Sequence, residues 1–447
     1  MFRFRPNYIY FRGEHLTAPA EIRNHTSEGL IPEASRAFPT NPSSCEAVAR
    51  EAFLALHGYL RRHHYKGYEF DDLLGSPLVR VLTLSNWLLQ RVAVQIGKLC
   101  PVPIRPLLGV RKLESAKARG FIARGYLYYY LYAHDENWLR VAEESTAWLL
   151  RNHTGDYVGI SWGNEFDFAS RGGFFRKGLP TIVWTSHIAQ TFELAYTITG
   201  EQKYLQTILQ AGEFIANALE RHQDRRGTCF AYAPGLLNLV YNSNLLGAAA
   251  LMRCWKYTGD DSYFELAKSA YRWTMSRMNA DGSWYYGLGK KYRWIDNFHT
   301  AYNLECLLMG YELGGDSVVP FSVVQQTYDF WVHNFFLLDG TPKYYHHRMY
   351  PLDIQCGSQA IETLSNVSGY FPPALEMADK VVIWTTKNLQ KANGAFRYQL
   401  RRFWKNNLES IHWGQSTMLS ALGTYLYISA RTRNRSSLRE SQPEDRT

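Results

Sequence analysis

Asn242-Ser243-Asn244-Leu245-Leu246-Gly247-Ala248-Ala249-Ala250-Leu251-Met252 opens on three polar residues and then runs apolar to Thr258-Gly259-Asp260. Polar residues of the capping type mark a helix start. The closing glycine marks a left-handed C-cap, and the acidic residue after it opens a second helix against that helix's dipole. The same plan begins again at Thr185-Ser186-His187, Asn297-Phe298-His299, Asp353-Ile354-Gln355 and Trp413-Gly414-Gln415. These starts are spaced 57, 55, 56 and 60 residues apart along the chain, and a sixth, less polar copy begins near Lys117. A repeat of this length predicts stacked helical hairpins or a closed helical toroid.

Apolar helices are predicted over 117–133, 185–199, 242–258, 297–313, 353–368 and 413–429. All but the last are followed by an amphipathic partner, over 136–152, 201–222, 260–278, 316–336 and 371–390. The last has none after it, so helix 45–64 is its expected partner and closes the ring. The fold class read from this order is all-α, an (α/α)6 barrel, with helix 77–98 left over as material for a seventh pair. Residues 1–44 read as a flexible lead, 45–430 as a single toroid domain, and 431–447 as a disordered polar tail. Turns within hairpins are short, whereas returns between hairpins are long. The long returns therefore build up the face on which the apolar helices begin, and that face is the expected functional side. Asp281-Gly282-Ser283-Trp284-Tyr285-Tyr286 is echoed by Asp339-Gly340-Thr341-Pro342-Lys343-Tyr344-Tyr345 and Asn393-Gly394-Ala395-Phe396-Arg397-Tyr398. A glycine turn followed by aromatics predicts a short β-hairpin or an extended strand over the cavity mouth.

The 447 residues are 46% hydrophobic and 20% charged, with no uncharged apolar run long enough for a membrane span. The net charge of +9 is diffuse, without the Lys/Arg run that marks nucleic-acid binding. The aromatic share is 15%, including 31 Tyr and 13 Trp, enough to fill a wide core or to floor a sugar cleft. The six cysteines show no metal-ligand spacing, and Met1-Phe2-Arg3-Phe4-Arg5-Pro6 carries no apolar signal core, so a cytoplasmic location is expected. No nucleophile elbow, phosphate loop or dinucleotide fingerprint is present, and neither a metal nor a cofactor is expected.

Arg293-Trp294-Ile295-Asp296-Asn297-Phe298-His299-Thr300 brings a guanidinium, a carboxylate and an imidazole to one helix start, with Tyr302 one turn on. Acid–base work on a sugar needs such groups close together. Asp296 and Asn297 are also good N-caps, whereas His299 lies too far inside for that role. His346-His347-Arg348 precedes Asp353, with Gln359 further along the same helix; Asp353 and Gln359 suit sugar hydroxyls better than a metal. Ser161-Trp162-Gly163-Asn164-Glu165-Phe166-Asp167 and the pair Asp71-Asp72 add carboxylates of the kind glycoside hydrolysis uses.

At Tyr68-Glu69-Phe70-Asp71-Asp72-Leu73-Leu74-Gly75, Trp162-Gly163-Asn164-Glu165-Phe166-Asp167, Lys343-Tyr344-Tyr345-His346 and Trp413-Gly414-Gln415, together with the Asp281 and Arg293 motifs, the chain resembles bacterial exopolysaccharide-biosynthesis proteins of the VpsJ type. The resemblance runs from about 66 to 425. Asp72 stands where that family usually has glycine, so the family role falls on Asp71. A fainter likeness is to glucuronyl C5-epimerases, in which an Arg-Trp…His-Thr stretch also opens an inner helix.

The resemblance implies a six-hairpin, glycosidase-like toroid in polysaccharide biosynthesis. The reading is a carbohydrate-active enzyme on an acidic glycan or lipid-linked oligosaccharide, acting by epimerisation, elimination or hydrolysis, in association with membrane-bound assembly proteins. His299 and Tyr302 are the acid–base candidates, with Asp296 orienting or sharing that work; Asp71, Asp167, Asp296 and Asp353 would serve hydrolysis. Arg293 is the carboxylate clamp, Trp162, Trp284, Tyr285 and Trp413 are the stacking residues, and Asn297, His346, Gln359 and Gln415 complete the binding set. The rival is a non-catalytic glycan-binding or scaffold protein using the same cavity. A prenyl-binding toroid predicts apolar helix starts, which this chain lacks.

Overall fold

The computed structural model describes residues 42–100 and 102–440. Helix α1 (Pro42–Arg62) is followed by three shorter helices, α2 (Pro77–Leu82), α3 (Trp87–Leu99) and α4 (Ile104–Leu107). Then come α5 (Ala116–Ala133), α6 (Glu136–Arg151), α7 (Ile182–Thr199), α8 (Gln202–Glu213), α9 (Tyr241–Thr258) and α10 (Asp261–Met275). The chain finishes with α11 (Asn297–Gly314), α12 (Phe321–Phe335), α13 (Ile354–Val367), α14 (Pro373–Leu389) and α15 (Ser416–Glu440).

The inner ring is α5, α7, α9, α11, α13 and α15; each packs on the next, and α15 closes on α5. These helices are apolar around most of their circumference, and α9 is buried at every position from Tyr241 to Cys254. A helix of that kind has to be enclosed on all sides. Helices α6, α8, α10, α12 and α14 each lie outside the inner helix they follow, and α1 takes the sixth outer place against α14 and α15. The architecture is an (α/α)6 toroid.

Gly282 and Gly394 show how the returns lock the outer ring. Both have left-handed backbones, φ 82° and 90°. A Cβ on Gly282 would stand 2.4 Å from the Gln326 carbonyl oxygen of α12, and one on Gly394 would stand 2.3 Å from that of Ala55 in α1. Each glycine lets its return press onto the next outer helix, where any larger residue would force the backbones apart. Trp284 and Phe396, two residues later in each case, drop into the core.

Four expectations change here. Helix 77–98 is broken into α2 and α3 by Leu84 and Ser85 at positive φ. It adds no seventh pair; α3 packs instead on the segment Asp72–Gly75 and on the strand Phe168–Ser170. Short strand pairs do occur, the longer ones outside the Gly-aromatic motifs expected to form them. They are β1 (Phe168–Ser170) with β2 (Gly173–Phe175), β3 (Arg221–Asp224) with β4 (Gly227–Phe230), and a three-stranded sheet of β5 (Leu352–Asp353), β6 (Gln399–Leu400) and β7 (Lys405–Asn406). The turns of the Asp339 and Asn393 motifs are each closed by a single antiparallel bridge, Phe336 with Pro342 and Gln390 with Phe396, and the Asn393 motif runs on into β6. Finally, α15 continues through Glu440 into the expected tail, and Arg433 there pairs with Asp379 at 2.7 Å. The expected flexible lead, except for its last three residues, and the end of the tail from 441 lie outside the described residues.

Candidate functional site

A cleft of about 730 Å3 opens at the starting ends of α9 and α11. Tyr232, Tyr285, Tyr286 and Tyr344 wall it, Asp296 and His299 form part of its lining, and Arg171, Arg293 and Arg348 also face it. Arg171 lies over the Trp294 ring at 5.2 Å and Arg348 over Tyr345 at 4.1 Å, contacts that hold both guanidinium groups at the cleft. All three arginines are exposed. Three positive charges around one opening favour an anionic ligand.

Asp296 does two jobs at once. As N-cap of α11 its Oδ1 accepts the His299 backbone N–H at 3.0 Å. Its Oδ2 accepts the Trp294 indole N–H at 2.8 Å, and both oxygens lie 2.8–2.9 Å from His299 Nδ1. A carboxylate only accepts, so Nδ1 carries the hydrogen towards Asp296 and Nε2 is the second nitrogen of the ring. Nε2 has no partner among the described residues, and the His299 side chain is 20% exposed in the cleft lining. Three N–H groups, the backbone and Nδ1 of His299 and the Trp294 indole, converge on Asp296, so the carboxylate fixes the orientation of the His299 ring. Tyr286 meets the His299 ring edge-on at 4.6 Å and stacks on Trp294 at 4.4 Å, fixing the imidazole plane. Burial pushes the hydroxyls of Tyr286 and Tyr344 well above the usual tyrosine range, so both remain donors.

Beside the cleft lies a buried charged group that the sequence reading largely missed. Lys117, at the start of α5, sits between the Trp184 and Trp413 rings, 5.3 and 4.9 Å away, with Glu69 at 3.7 Å. Burial lowers its pKa. Glu165 accepts the Ala116 backbone N–H at 2.7 Å, and burial pushes its carboxyl up to about 7. Asp71 lies here as well; burial raises its pKa, Lys98 and Lys117 oppose that rise, and Glu69 adds to it. Its charge reaches Tyr232 on the cleft wall. A lysine one residue into an apolar helix, with aromatic helix starts elsewhere in the ring, was the available signal. Trp413, expected to stack on sugar, instead lies against Lys117.

Several expected site residues prove to be scaffold. Asn297 is fully buried, donating to the Lys343 carbonyl and accepting from the Trp331 indole N–H. Trp162 is sealed, its indole N–H bound to the Leu149 carbonyl, and Trp284 is sealed with its N–H on Thr327 Oγ1. Gln415 is buried, with its amide bridging the backbone N–H and C=O of Phe396. Gln359 donates to Glu305 and Thr363 inside the ring. Asp167 ties its loop to Arg80 at 3.2 Å and accepts the Lys177 N–H. None of these lines the cleft. Their types suggested ligand contact, but their bonds are used up within the fold.

Asp353 caps α13 and accepts from Gln399 at 2.5 Å, and burial pushes its carboxyl up to about 6. Tyr302 points to a separate axial cavity of about 100 Å3, which it shares with His187, Arg253 and Glu305. Its hydroxyl has no partner among the described residues. His346 and Tyr285 do line the cleft, as Arg293 does.

No family model matches the chain, and no curated protein matches it by sequence. Solved structures do match. Cellobiose 2-epimerase from Bacillus thermoamylovorans gives a TM-score of 0.56 at 10% identity, over 71% of this chain and 88% of that one. An unsaturated glucuronyl hydrolase specific for heparin gives 0.57 at 13% identity, over 88% and 99%. The GH76 α-mannanase of Bacteroides thetaiotaomicron gives 0.56 at 12% identity, over 72% and 88%. The likeness is one of fold. It assigns the ring to the six-hairpin (α/α)6 toroids and leaves the chemistry to the residues just described.

Proposed function

We propose that this chain is a carbohydrate-processing enzyme of exopolysaccharide biosynthesis, working in the cytoplasm on an acidic glycan, free or lipid-linked, by proton chemistry at a sugar carbon. The observation that carries the reading is His299: pinned through Nδ1 by both oxygens of Asp296, and open at Nε2 in a cleft faced by three arginines. The epimerase and glucuronyl hydrolase among the solved structures lend support, as does the exopolysaccharide resemblance.

Arg293, with Arg171 and Arg348 beside it, holds the sugar carboxylate. Nε2 of neutral His299 takes the proton from the carbon bearing that carboxylate, and the electron pair moves into the carboxylate held by the arginines. Asp296 stabilises the imidazolium that forms. A proton from water on the opposite face gives the epimer, the hydroxide left behind taking the proton held on His299; loss of the neighbouring C–O substituent, its oxygen taking that proton from His299 as it leaves, gives an unsaturated sugar. General base catalysis of this kind is worth roughly 10²–10⁴-fold. Tyr285 and Tyr286 supply ring faces and hydroxyls along the bound sugar.

Incubation with uronate-containing oligosaccharides in deuterated water, read by mass spectrometry, tests this. Deuterium gained on carbon without cleavage identifies an epimerase, and an unsaturated product identifies a lyase. A gain of water without deuterium on carbon would move the chemistry to the carboxylates, with Asp71 and Asp353 first. An oligosaccharide that binds and returns unchanged would make the chain a glycan-binding component of the assembly machinery.

A further inference from the structure

The α2–α3 hairpin and the segment after it form a one-sided structure. Leu73, Leu74, Val79, Val94 and Val110 turn inward and, with Ala169, form a small core of their own. The outward residues are also apolar: Val81 is 69% exposed, Leu84 at the hairpin turn 79%, and Leu107 86%. Leu88, Val92 and Ile96 continue the stripe along α3. Among the described residues, 21 large hydrophobic side chains are exposed, and 12 of them lie between 78 and 107. Scattered exposed apolar residues are ordinary on soluble proteins; a contiguous concentration marks an interaction surface.

Charge decides the kind of surface. Residues 73–113 contain no Asp or Glu and six basic residues, Arg80, Arg91, Lys98, Arg105, Arg111 and Lys112. Arg105 is used internally against Asp72 at 2.6 Å, and Lys98 lies over the Phe70 ring at 4.5 Å. Arg80 is paired with Asp167 at 3.2 Å, which leaves Arg111 and Lys112 exposed and Arg91 half-buried at the flank of the stripe. An apolar stripe flanked by a surplus of basic groups is the pattern of a helix lying in the interface of an anionic bilayer, with apolar side chains among the acyl chains and basic ones at the headgroups. A protein partner would be expected to meet a mixed-charge rim. No helix among the described residues is long and apolar enough to cross a membrane, so the contact is with one leaflet.

We propose that the α2–α3 hairpin docks the toroid onto the surface of an anionic phospholipid membrane. Helix α3 packs on β1, whose Phe168 and Ser170 line the cleft, so docking brings the cleft side of the ring to the lipid. A substrate glycan attached to a lipid would be presented there. The docking itself stands on the hairpin alone and does not depend on the reaction proposed for the cleft.

The test is co-sedimentation of the full chain with vesicles of phosphatidylcholine alone and of phosphatidylcholine with about one-third phosphatidylglycerol. Binding to the anionic vesicles is expected, weakened by about 0.5 M NaCl. Leu88→Glu with Val92→Glu should reduce it about tenfold or more, because two apolar side chains can no longer enter the leaflet. Both positions are exposed, so the melting temperature should hold, and Arg91→Gln with Lys112→Gln provides a second variant that weakens binding without touching the stripe. Failure of the intact chain to sediment with anionic vesicles, or equal binding by the Glu variant, overturns the proposal. So does a dimer in ultracentrifugation that the Glu variant dissociates, since the stripe is then a self-interface. Binding that emerges only after removal of residues 1–41 overturns it too, by giving the stripe to the chain's own leading segment.

Discussion

The starts of α11 and α13 use the same local device and end differently. Each has an aspartate as N-cap, Asp296 and Asp353, accepting a backbone N–H from its own first turn. At α11 the remaining capacity of the carboxylate goes to an indole and to an imidazole that stays open to the cleft. At α13 it goes to Gln399 of β6, which pairs with β5 and covers the helix start. One cap therefore supports a histidine that lines the cleft, and the other is enclosed, with burial pushing its carboxyl up to about 6. Both helix starts are bridged by the following return, Asp296 to Tyr345 and Asp353 to Gln399, so what separates them is the side chain that meets the carboxylate, an imidazole in one and an amide in the other.

The largest effect that would sharpen this contrast is on turnover. His299→Gln should lower kcat about 10³-fold with the melting temperature within about 2 °C. Asp296→Asn keeps a capping side chain but loses the carboxylate that supports the imidazolium; kcat should fall about 10²-fold with KM within about twofold. Asp353→Asn should leave kcat close to that of the parent. If Asp353→Asn costs as much turnover as Asp296→Asn, the two starts are not distinct and the contrast breaks.

A smaller effect belongs to stability. Gln415→Ala leaves the backbone N–H and C=O of Phe396 without their buried partners, so urea unfolding should show a loss of about 1–3 kcal/mol. Substrate KM should stay unchanged, because Gln415 is scaffold. A changed KM at unchanged stability would return Gln415 to the binding site.

The smallest effect is a slope with pH. Asp353 in the folded chain titrates near 6, above its ordinary range, so the folded state holds that proton more tightly than the unfolded state does. The stability this contributes is complete below about pH 4 and is lost as pH rises through about 6. Asp353→Asn removes that loss. The melting temperature of the variant relative to the parent should therefore rise between pH 4 and 8, and a flat difference would show that the site is not enclosed.

Much of the ring was legible because its causes are local. Capping residues, closing glycines and a steady period mark helix starts, and helices that are apolar all round have nowhere to go but the inside of a ring. The cleft was legible at Arg293, Asp296 and His299, whose types and spacing put them on one helix start. Legibility failed where a side chain's role depends on what lies across the fold. Trp284 and Tyr285 are adjacent and equally plausible as sugar platforms, yet one is sealed against Thr327 and the other lines the cleft. Lys117 gave little sign of itself, since Trp184, Trp413 and Glu69 reach it from distant parts of the chain.

The sequence by itself determined the toroid, its polarity and the residue types at each helix start, since hydrophobic period and capping act within a few turns. Tertiary structure decided which starts stay open, which aromatics are core, and that α2–α3 lies outside the ring with an apolar face uncovered. Burial and bond satisfaction depend on atoms brought together across long stretches of chain. No local pattern encodes them.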